Sequence, residues 1–382
     1  MAMATLPSPL YGLYRIRDHL SELTVTVVYA IFAGGTIAAL LSVRFVAARA
    51  GRRGAMLGAV ATMMVAAGLL AASKALPGLL LGRLITGVAV GLAAGTAITY
   101  LIELRARADP NASPVRAQTI GTAVTVGALG IGPLIAGCLA EWVKYPLTLT
   151  YLLFVALGAI ALIALVAAPE TGKQTPPALA ARQAGGPSRA AGVLVPGAIA
   201  TLAAFSASGL FAGLSGLFLA TTLHHLSHAL SGATLCLVFS SGVVAQLATT
   251  GLPASRVLAL GTISMLAGLA LLVIAVRLST PSLALFLLGG ALIGAGAGAV
   301  FKGTTGLVFA ATAPENRLAA TSDLLIALYV GISIPVIGAG IALDRGASAP
   351  DTVLGFAILV GLGVVGAGAL LERKLRRVER SA

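Results

Sequence analysis

Eleven apolar runs, each long enough to cross a bilayer, constrain this chain more than any other feature. They fall at about 23–46, 54–73, 77–104, 116–140, 148–168, 193–220, 229–249, 256–277, 281–309, 318–342 and 352–371. A spanning helix needs about 20 consecutive apolar residues, because its backbone polar groups must bond to one another where water is absent. The runs lack the alternation of barrel strands and are too long for them. The expected fold class is therefore an all-α membrane protein. Composition agrees. Of 382 residues, 58% are hydrophobic and only 10% charged, against ~25% charged in soluble domains. That balance excludes a soluble enzyme, a disordered chain and a disulfide scaffold. The 47 glycines suit close helix packing in lipid.

The formal net charge of +13 suggests nucleic acid until the basic residues are placed. One alternating set of loops, with the C-terminal tail, holds 17 of them, the opposite set holds 6, and Arg83 and Lys302 lie within spans. The richer side is expected to face the cytoplasm. The charge then reflects topology and contact with lipid headgroups, not nucleic acid. The chain is expected in the cytoplasmic (inner) membrane, multi-pass, with a cytoplasmic C-terminus. Arg15, Arg17 and Asp18 precede the first run, which does not read as a secretory signal, so that run would itself direct insertion. Cys138 and Cys236 lie in separate apolar runs and read as small buried hydrophobes.

Two loops are longer than the rest, 104–115 and 169–192, and the second is rich in Pro, Gly and Ala. It reads as a cytoplasmic linker between an N-terminal helical bundle, 1–168, and a C-terminal bundle with its tail, 193–382. The halves repeat weakly. Arg53, Leu57 and Gly58 recur as Arg256, Leu260 and Gly261 at an offset of 203, Gly87 and Gly91 as Gly290 and Gly294 at 203, and Pro133 as Pro335 at 202. Parallel repeats of this kind belong to transporters. The same offset maps the run 193–220 onto −10 to 17, so residues 1–17 correspond to the latter part of a first helix. The expectation is eleven full transmembrane helices plus a partial helix 1, its beginning lost to a misplaced start codon. A genuine eleven-span chain with a short outside tail is the alternative.

With those motifs in view the chain resembles the major facilitator superfamily, and the predicted helices take that family's numbers, the stub counting as helix 1. The loop RFVAARAGRRGAML between helices 2 and 3 is similar to the family's G-x-x-x-D-R-x-G-R-R, with Arg49, Gly51, Arg52 and Arg53 matching and Arg44 and Ala48 departing. Helix 4 carries LLLGRLITGVAVG, resembling R-x-x-x-G-x-G through Arg83 and Gly87, with Ala89 for a Gly. Helix 5 carries GALGIGPLIAG, which resembles the exporter pattern G-x-x-x-G-P-x-x-G-G through Gly132, Pro133 and Gly137, while Ala128 and Ala136 depart. APET, Ala168 to Thr171, also looks familial. The resemblance implies a two-bundle architecture around a central cavity formed mainly by helices 1, 4, 7 and 10. It also implies secondary transport by alternating access, tilted by helix 5 towards proton-coupled efflux. Proton-coupled uptake of a sugar or organic acid, and an inactive truncated transporter, are the alternatives.

Charges within spans are costly and therefore candidate sites. Arg83, about two turns into helix 4, is the first candidate for substrate or proton coupling. Glu103, 20 residues on, lies ~30 Å away and is expected to pair with Arg105, Arg107 or Arg116 instead. Lys302 on helix 10 and Asp323 on helix 11 share a depth and are expected to form an ion pair or a protonatable switch. Gly51, Arg52, Arg53, Gly87, Gly91, Gly130, Gly132, Pro133, Gly137 and Pro335 are candidates for gating and helix packing. Small residues let helices approach, and proline removes a backbone bond. His224, His225 and His228 have one i, i+4 spacing but no nearby Cys or carboxylate in sequence, so a solvated loop is expected and no metal. Trp142, Tyr145, Tyr151 and Tyr11 read as interfacial belt residues. An intramembrane enzyme would need clustered acids or a nucleophile set, and the 12 acidic residues are scattered. The expected partners are a small-molecule substrate and the bilayer, with no nucleic acid, no cofactor beyond a proton gradient, and a monomeric state.

Overall fold

Each apolar run is helical in the computed structural model, which describes residues 1–109, 114–171, 191–312 and 317–381. Two short helices come first, α1 (Ala2–Thr5) and α2 (Tyr11–Asp18), joined through a 3-10 turn at Ser8–Leu10. There follow α3 (Glu22–Ala72), α4 (Leu76–Ala108), α5 (Pro114–Trp142), α6 (Pro146–Ala167) and α7 (Ala191–Thr221). The chain ends with α8 (His228–Ala248), α9 (Ala254–Arg277), α10 (Leu283–Ala310), α11 (Arg317–Asp344) and α12 (Ala349–Ser381). Among the described residues, 11 segments are long and apolar enough to cross a membrane, and α3 supplies two of them, Glu22–Ser42 and Arg49–Ala72. Most of the linker expected at 169–192, and the side chains of Arg44, Ala48 and Arg116, lie outside the described residues.

Local chemistry sets the ends. Ser21, Ser227 and Ser282 each accept the backbone N–H three residues on and so cap α3, α8 and α10, satisfying donors that a helix start leaves open. Proline stands in the first turn of α4 and α6, where its missing N–H costs nothing. Gly51 divides α3. Its φ of 76° and ψ of 177° lie outside what residues with a Cβ readily adopt, and the chain turns back there as a second limb.

Burial separates central from peripheral helices. The spanning window of α7 is 72% buried, that of α6 only 22%. The exposed faces are apolar, as with Ile160, Ile163, Leu359 and Leu362, which is what a lipid solvent requires. The loops carrying most Lys and Arg gather at one end of the molecule, the basic end. Arg15, Arg17, Lys74, Arg277 and their partners Glu22, Asp18 and Asp351 lie at the other, the far end.

Backbones pack closely where glycines face them. A Cβ on Gly87 would lie 1.9 Å from the Phe32 carbonyl oxygen, and one on Gly91 2.5 Å from that of Thr36, so α4 rides directly on the first limb of α3. In the second half a Cβ on Gly294 would lie 1.9 Å from Val238 O. Gly91 with Thr36 and Gly294 with Val238 are the same contact at offsets of 203 and 202, so the repeat is one of helix pairing as well as of letters.

Candidate functional site

Arg83 is the largest fully buried side chain, 1% exposed. Its Nε donates to Val28 O, Nη1 to Met3 O and Ala4 O, and Nη2 to Tyr29 O, at 2.8–3.3 Å. Four of its five donors are thereby committed to backbone carbonyls. The guanidinium also lies 4.6 Å from the ring centroid of Phe32 and 6.0 Å from that of Tyr29, a favourable placement for a cation in a dry interior. The charge at this depth is accommodated without a carboxylate. What it holds together is α4, the first limb of α3 and the chain start, with Thr5 Oγ1 donating to Leu129 O of α5.

From Arg83 an aromatic row crosses between the halves. Tyr11, Tyr29, Phe32 and Tyr329 follow one another at centroid separations of 6.5, 5.7 and 6.1 Å, two of the three contacts edge-on. Tyr29 and Phe32 come from α3, Tyr329 from α11. The hydroxyl of Tyr29 is buried with no hydrogen-bond partner among the described residues.

Beyond the row, towards the far end, the halves are clamped. The helix 5 glycines expected to pack do so against α8. A Cβ on Gly130 would stand 3.0 Å from Cys236 Cα, one on Gly137 2.4 Å from His228 O, and one on Gly232 2.3 Å from the carbonyl of Pro133. Gly132 faces the chain start instead, 2.3 Å from Ala2 O. Glu141 Oε2 then accepts from the backbone N–H of His228 at 2.8 Å and of Ala229 at 3.3 Å, and from Ser227 Oγ at 3.3 Å. A carboxylate at the N-terminus of α8 meets open donors and the positive end of the helix dipole. His228 Nδ1 lies 3.2 Å from Pro9 O. The described hydrogen bonds between the halves belong to this far-end set. Glu141→Ala is expected to loosen it. With Cys138 and Cys236 replaced by Ala, a Ser231→Cys reporter, at a position now 3% exposed, should react several-fold faster with an impermeant maleimide, an effect of about 1 kcal/mol.

The basic end is knotted within the first half. The Glu170 carboxylate accepts from Arg52 N–H at 2.9 Å and Arg53 N–H at 3.0 Å, capping the second limb of α3 just after the turn at Gly51. Arg53 donates to the carbonyls of Leu165 and Val166 in the last turn of α6, and Arg107 donates to Glu170 O at 3.1 Å. Glu103 was expected to pair with Arg105, Arg107 or Arg116. Among the described residues, which exclude the Arg116 side chain, its partner is Arg52 Nε at 3.5 Å, with Thr171 Oγ1 donating to it at 2.6 Å. The reason is that α3 and α6 both end beside α4, so partners close in space outcompete those close in sequence. Glu170→Ala is expected to free this turn, and trypsin should cut after Arg52 and Arg53 several-fold faster in detergent solution, reflecting loss of a cap worth about 1 kcal/mol.

The expected Lys302–Asp323 pair is not formed. Lys302 Nζ donates to Gln246 O at 2.5 Å and to Thr249 Oγ1 at 3.3 Å, at the C-terminus of α8. Helix α10 packs on α8 through Gly294 and Gly298, whereas α11 packs on α7, where Gly331 faces Leu202 O. Lys302 is thus turned to a helix end whose partial charge is negative, and Asp323 is exposed. Pro335 lies inside α11, two residues beyond the buried Ser333. Trp142 and Tyr145 are exposed as belt residues should be, at 74% and 78%, but Tyr11 and Tyr151 are buried, the latter beside Tyr14 with hydroxyls 3.3 Å apart. Among the described residues no three His, Cys, Asp or Glu side chains gather as a metal site, and both cysteines are free thiols.

Sequence reasoning missed Tyr29, Phe32, Tyr329, Glu141 and Glu170. The first two had a signal, aromatics at i and i+3 in a chain only 5% aromatic. Glu141 and Glu170 had weaker ones: Glu141 just follows the apolar run 116–140, and Glu170 lies in the APET stretch.

Comparison with known proteins adds three findings. A family model described as Sugar (and other) transporter matches residues 8–171. No curated protein matches the chain in sequence. Among solved structures, the nucleoside transporter NupG superposes with a TM-score of 0.71 at 13% identity over 97% of this chain and 96% of that one. The human organic anion transporter MFSD10 does so with 0.67 at 17% over 97% and 96%. A bacterial homolog of the human lysosomal transporter Spinster, inward-facing and occupied, gives 0.66 at 13% over 98% and 92%. At these identities the likeness is one of fold.

Proposed function

From the premise that this chain has the two-bundle fold of the major facilitator superfamily, we propose that it is a secondary transporter that moves a small organic solute across the cytoplasmic membrane by alternating access. The observation that carries the reading is the placement of the contacts between the halves. The described hydrogen bonds that join them sit at the far end. The described hydrogen bonds of the basic-end knot stay within the first half. With the basic end taken as cytoplasmic, this is an inward-facing arrangement, closed outside. Release of the Glu141 clamp, and closure at the basic end, would expose the aromatic row to the other side. Arg83 serves as the fixed point that keeps α3 and α4 aligned while the halves rock.

The preferred direction is efflux in exchange for protons, supported by the helix 5 resemblance and by the intimate contact of α5 with α8. Lys302 and Asp323, on neighbouring spans of the second half, are the groups proposed to be coupled to protons. Uptake with protons is the second reading, favoured by the match of residues 8–171 to the sugar transporter family. The structural neighbours are named for nucleosides and organic anions, so the solutes to be tested extend beyond sugars. The test is a proteoliposome assay with an imposed pH gradient and a panel of labelled nucleosides, sugars and organic anions. Accumulation of a solute in vesicles that are acidic inside supports antiport, accumulation in vesicles that are alkaline inside supports symport, and flux unaffected by any gradient sinks the proton coupling.

A further inference from the structure

Arg53 and Arg256 hold the same place in the repeat but differ in what satisfies them. Arg53, near the start of the second limb of α3, donates to the carbonyls of Leu165 and Val166 in the last turn of α6. Arg256 stands in the first turn of α9, where α12, the repeat mate of α6, does not end but runs on to Ser381. The carbonyls equivalent to those of Leu165 and Val166 therefore stay within the ladder of α12. Arg256 is exposed, as is Arg373 on α12, and neither has a carboxylate in ion-pair reach among the described residues. We propose that Arg256 and Arg373 form the headgroup end of a binding site for an anionic phospholipid of the leaflet at the basic end, with its acyl chains along the furrow between α9 and α12.

Helix packing brings the two arginines to one level. The helices touch where a Cβ on Gly361 would stand 3.3 Å from Leu266 Cδ2. From that contact Arg256 lies 10 residues back along α9 and Arg373 lies 12 residues on along α12. Because the helices run in opposite directions, both lie ~15–18 Å towards the basic end. They also share a flank. Arg256 continues the exposed stripe of Leu260 and Ile263, and Arg373 that of Leu362 and Leu370, at the three- and four-residue spacings of one helix face. An apolar furrow thus ends in two guanidinium groups, whose forks match phosphate oxygens. Charge complementarity names the occupant. At the far end Arg15, Arg17 and Arg277 are each matched by a carboxylate at 2.5–2.9 Å and call for no outside anion. On the flank of α9 and α12 the described chain offers none, and the anionic headgroups of a cytoplasmic leaflet do. A second copy of the chain docked flank to flank would set like charges against each other. The site faces lipid, away from the path between the halves, and is independent of the direction of transport.

The test is native mass spectrometry of the full chain in detergent, supplied with equal amounts of dioleoylphosphatidylglycerol and dioleoylphosphatidylcholine. Wild type is expected to retain the phosphatidylglycerol in preference. Arg256→Gln and Arg373→Gln should each weaken that retention about fivefold, and the double variant should hold the two lipids equally. The pair Arg49→Gln and Arg105→Gln removes the same charge from exposed positions at the basic end of the first half and should leave the preference unchanged. Unfolding temperatures check that both double variants are folded. Equal losses in the two double variants would reveal a diffuse attraction to the whole basic end and overturn the proposal. A preference that survives in the Arg256→Gln, Arg373→Gln variant, or is missing from wild type, overturns it as well. So does a lipid-free dimer in place of lipid adducts, which would assign the flank to a second copy.

Discussion

Arg83→Ala is expected to abolish transport and to lower the stability of the folded chain by at least about 3 kcal/mol, the order expected when several buried acceptors lose a charged donor. The substitution leaves the carbonyls of Met3, Ala4, Val28 and Tyr29 without their donor and removes the cation from the faces of Phe32 and Tyr29. It also unties the chain start, whose Met3 and Ala4 are 0% and 1% exposed. Arg83→Lys should fall between wild type and Arg83→Ala, since an ammonium offers three donors from one point and spans fewer of these carbonyls than the guanidinium fork. Thermal unfolding in detergent, read alongside vesicle transport, separates the two roles this residue has been given. A fall in both together is the mark of a structural tie. Transport lost in Arg83→Lys at an unchanged unfolding temperature would show instead that Arg83 contacts the solute.

Gly87→Ala is expected to be nearly as damaging, despite adding one methyl group. The new Cβ would sit 1.9 Å from Phe32 O and 2.9 Å from Thr36 N. Those are backbone atoms, so no side-chain rotation relieves the overlap, and α3 and α4 must separate. Overpacking of this kind is unfavourable by about 1–3 kcal/mol, and here it also shifts the ring of Phe32 away from Tyr329. Gly68→Ala, in the second limb of α3, is the control. A Cβ there meets nothing within 4 Å, and the change should leave the unfolding temperature equal or slightly raised, because alanine is the better helix former by about 1 kcal/mol. Equal effects from the two substitutions would refute the close approach of α3 and α4.

Much of the fold was legible in the chain. The eleven spans are readable because a bilayer demands continuous apolar length and tolerates little else. The crossing of α5 and α8 was foreshadowed by Gly130, Pro133 and Gly137, residues too small or too stiff to serve well elsewhere. Gly51 was readable as a turn because a loop with arginines on both sides joins two spans. The site was much less legible. Lys302 and Asp323 were brought together on depth alone, and Glu103 was assigned partners adjacent in sequence. Tyr11 and Tyr151 were placed at an interface from their position near span ends. All of these errors have one source. A span that is apolar on every side carries no stripe to say which way it is rotated, so depth can be read from the sequence and azimuth cannot.

The sequence by itself determined how many times the chain crosses, which ends carry the positive charge, and which positions are small enough for helices to touch. Each follows from a local requirement, such as length against bilayer thickness, charge bias between alternate loops, or the absence of a Cβ. Only the tertiary structure decided what the intramembrane charges do. Arg83 is satisfied by carbonyls 54 to 80 residues away in the chain, and Lys302 by a helix end 56 residues away. The Glu141 clamp joins residues 86 to 88 positions apart across the two halves. Most of these partners are backbone atoms that every residue possesses, so no side-chain pattern announces them. They exist only once the helices have chosen their neighbours and their rotation.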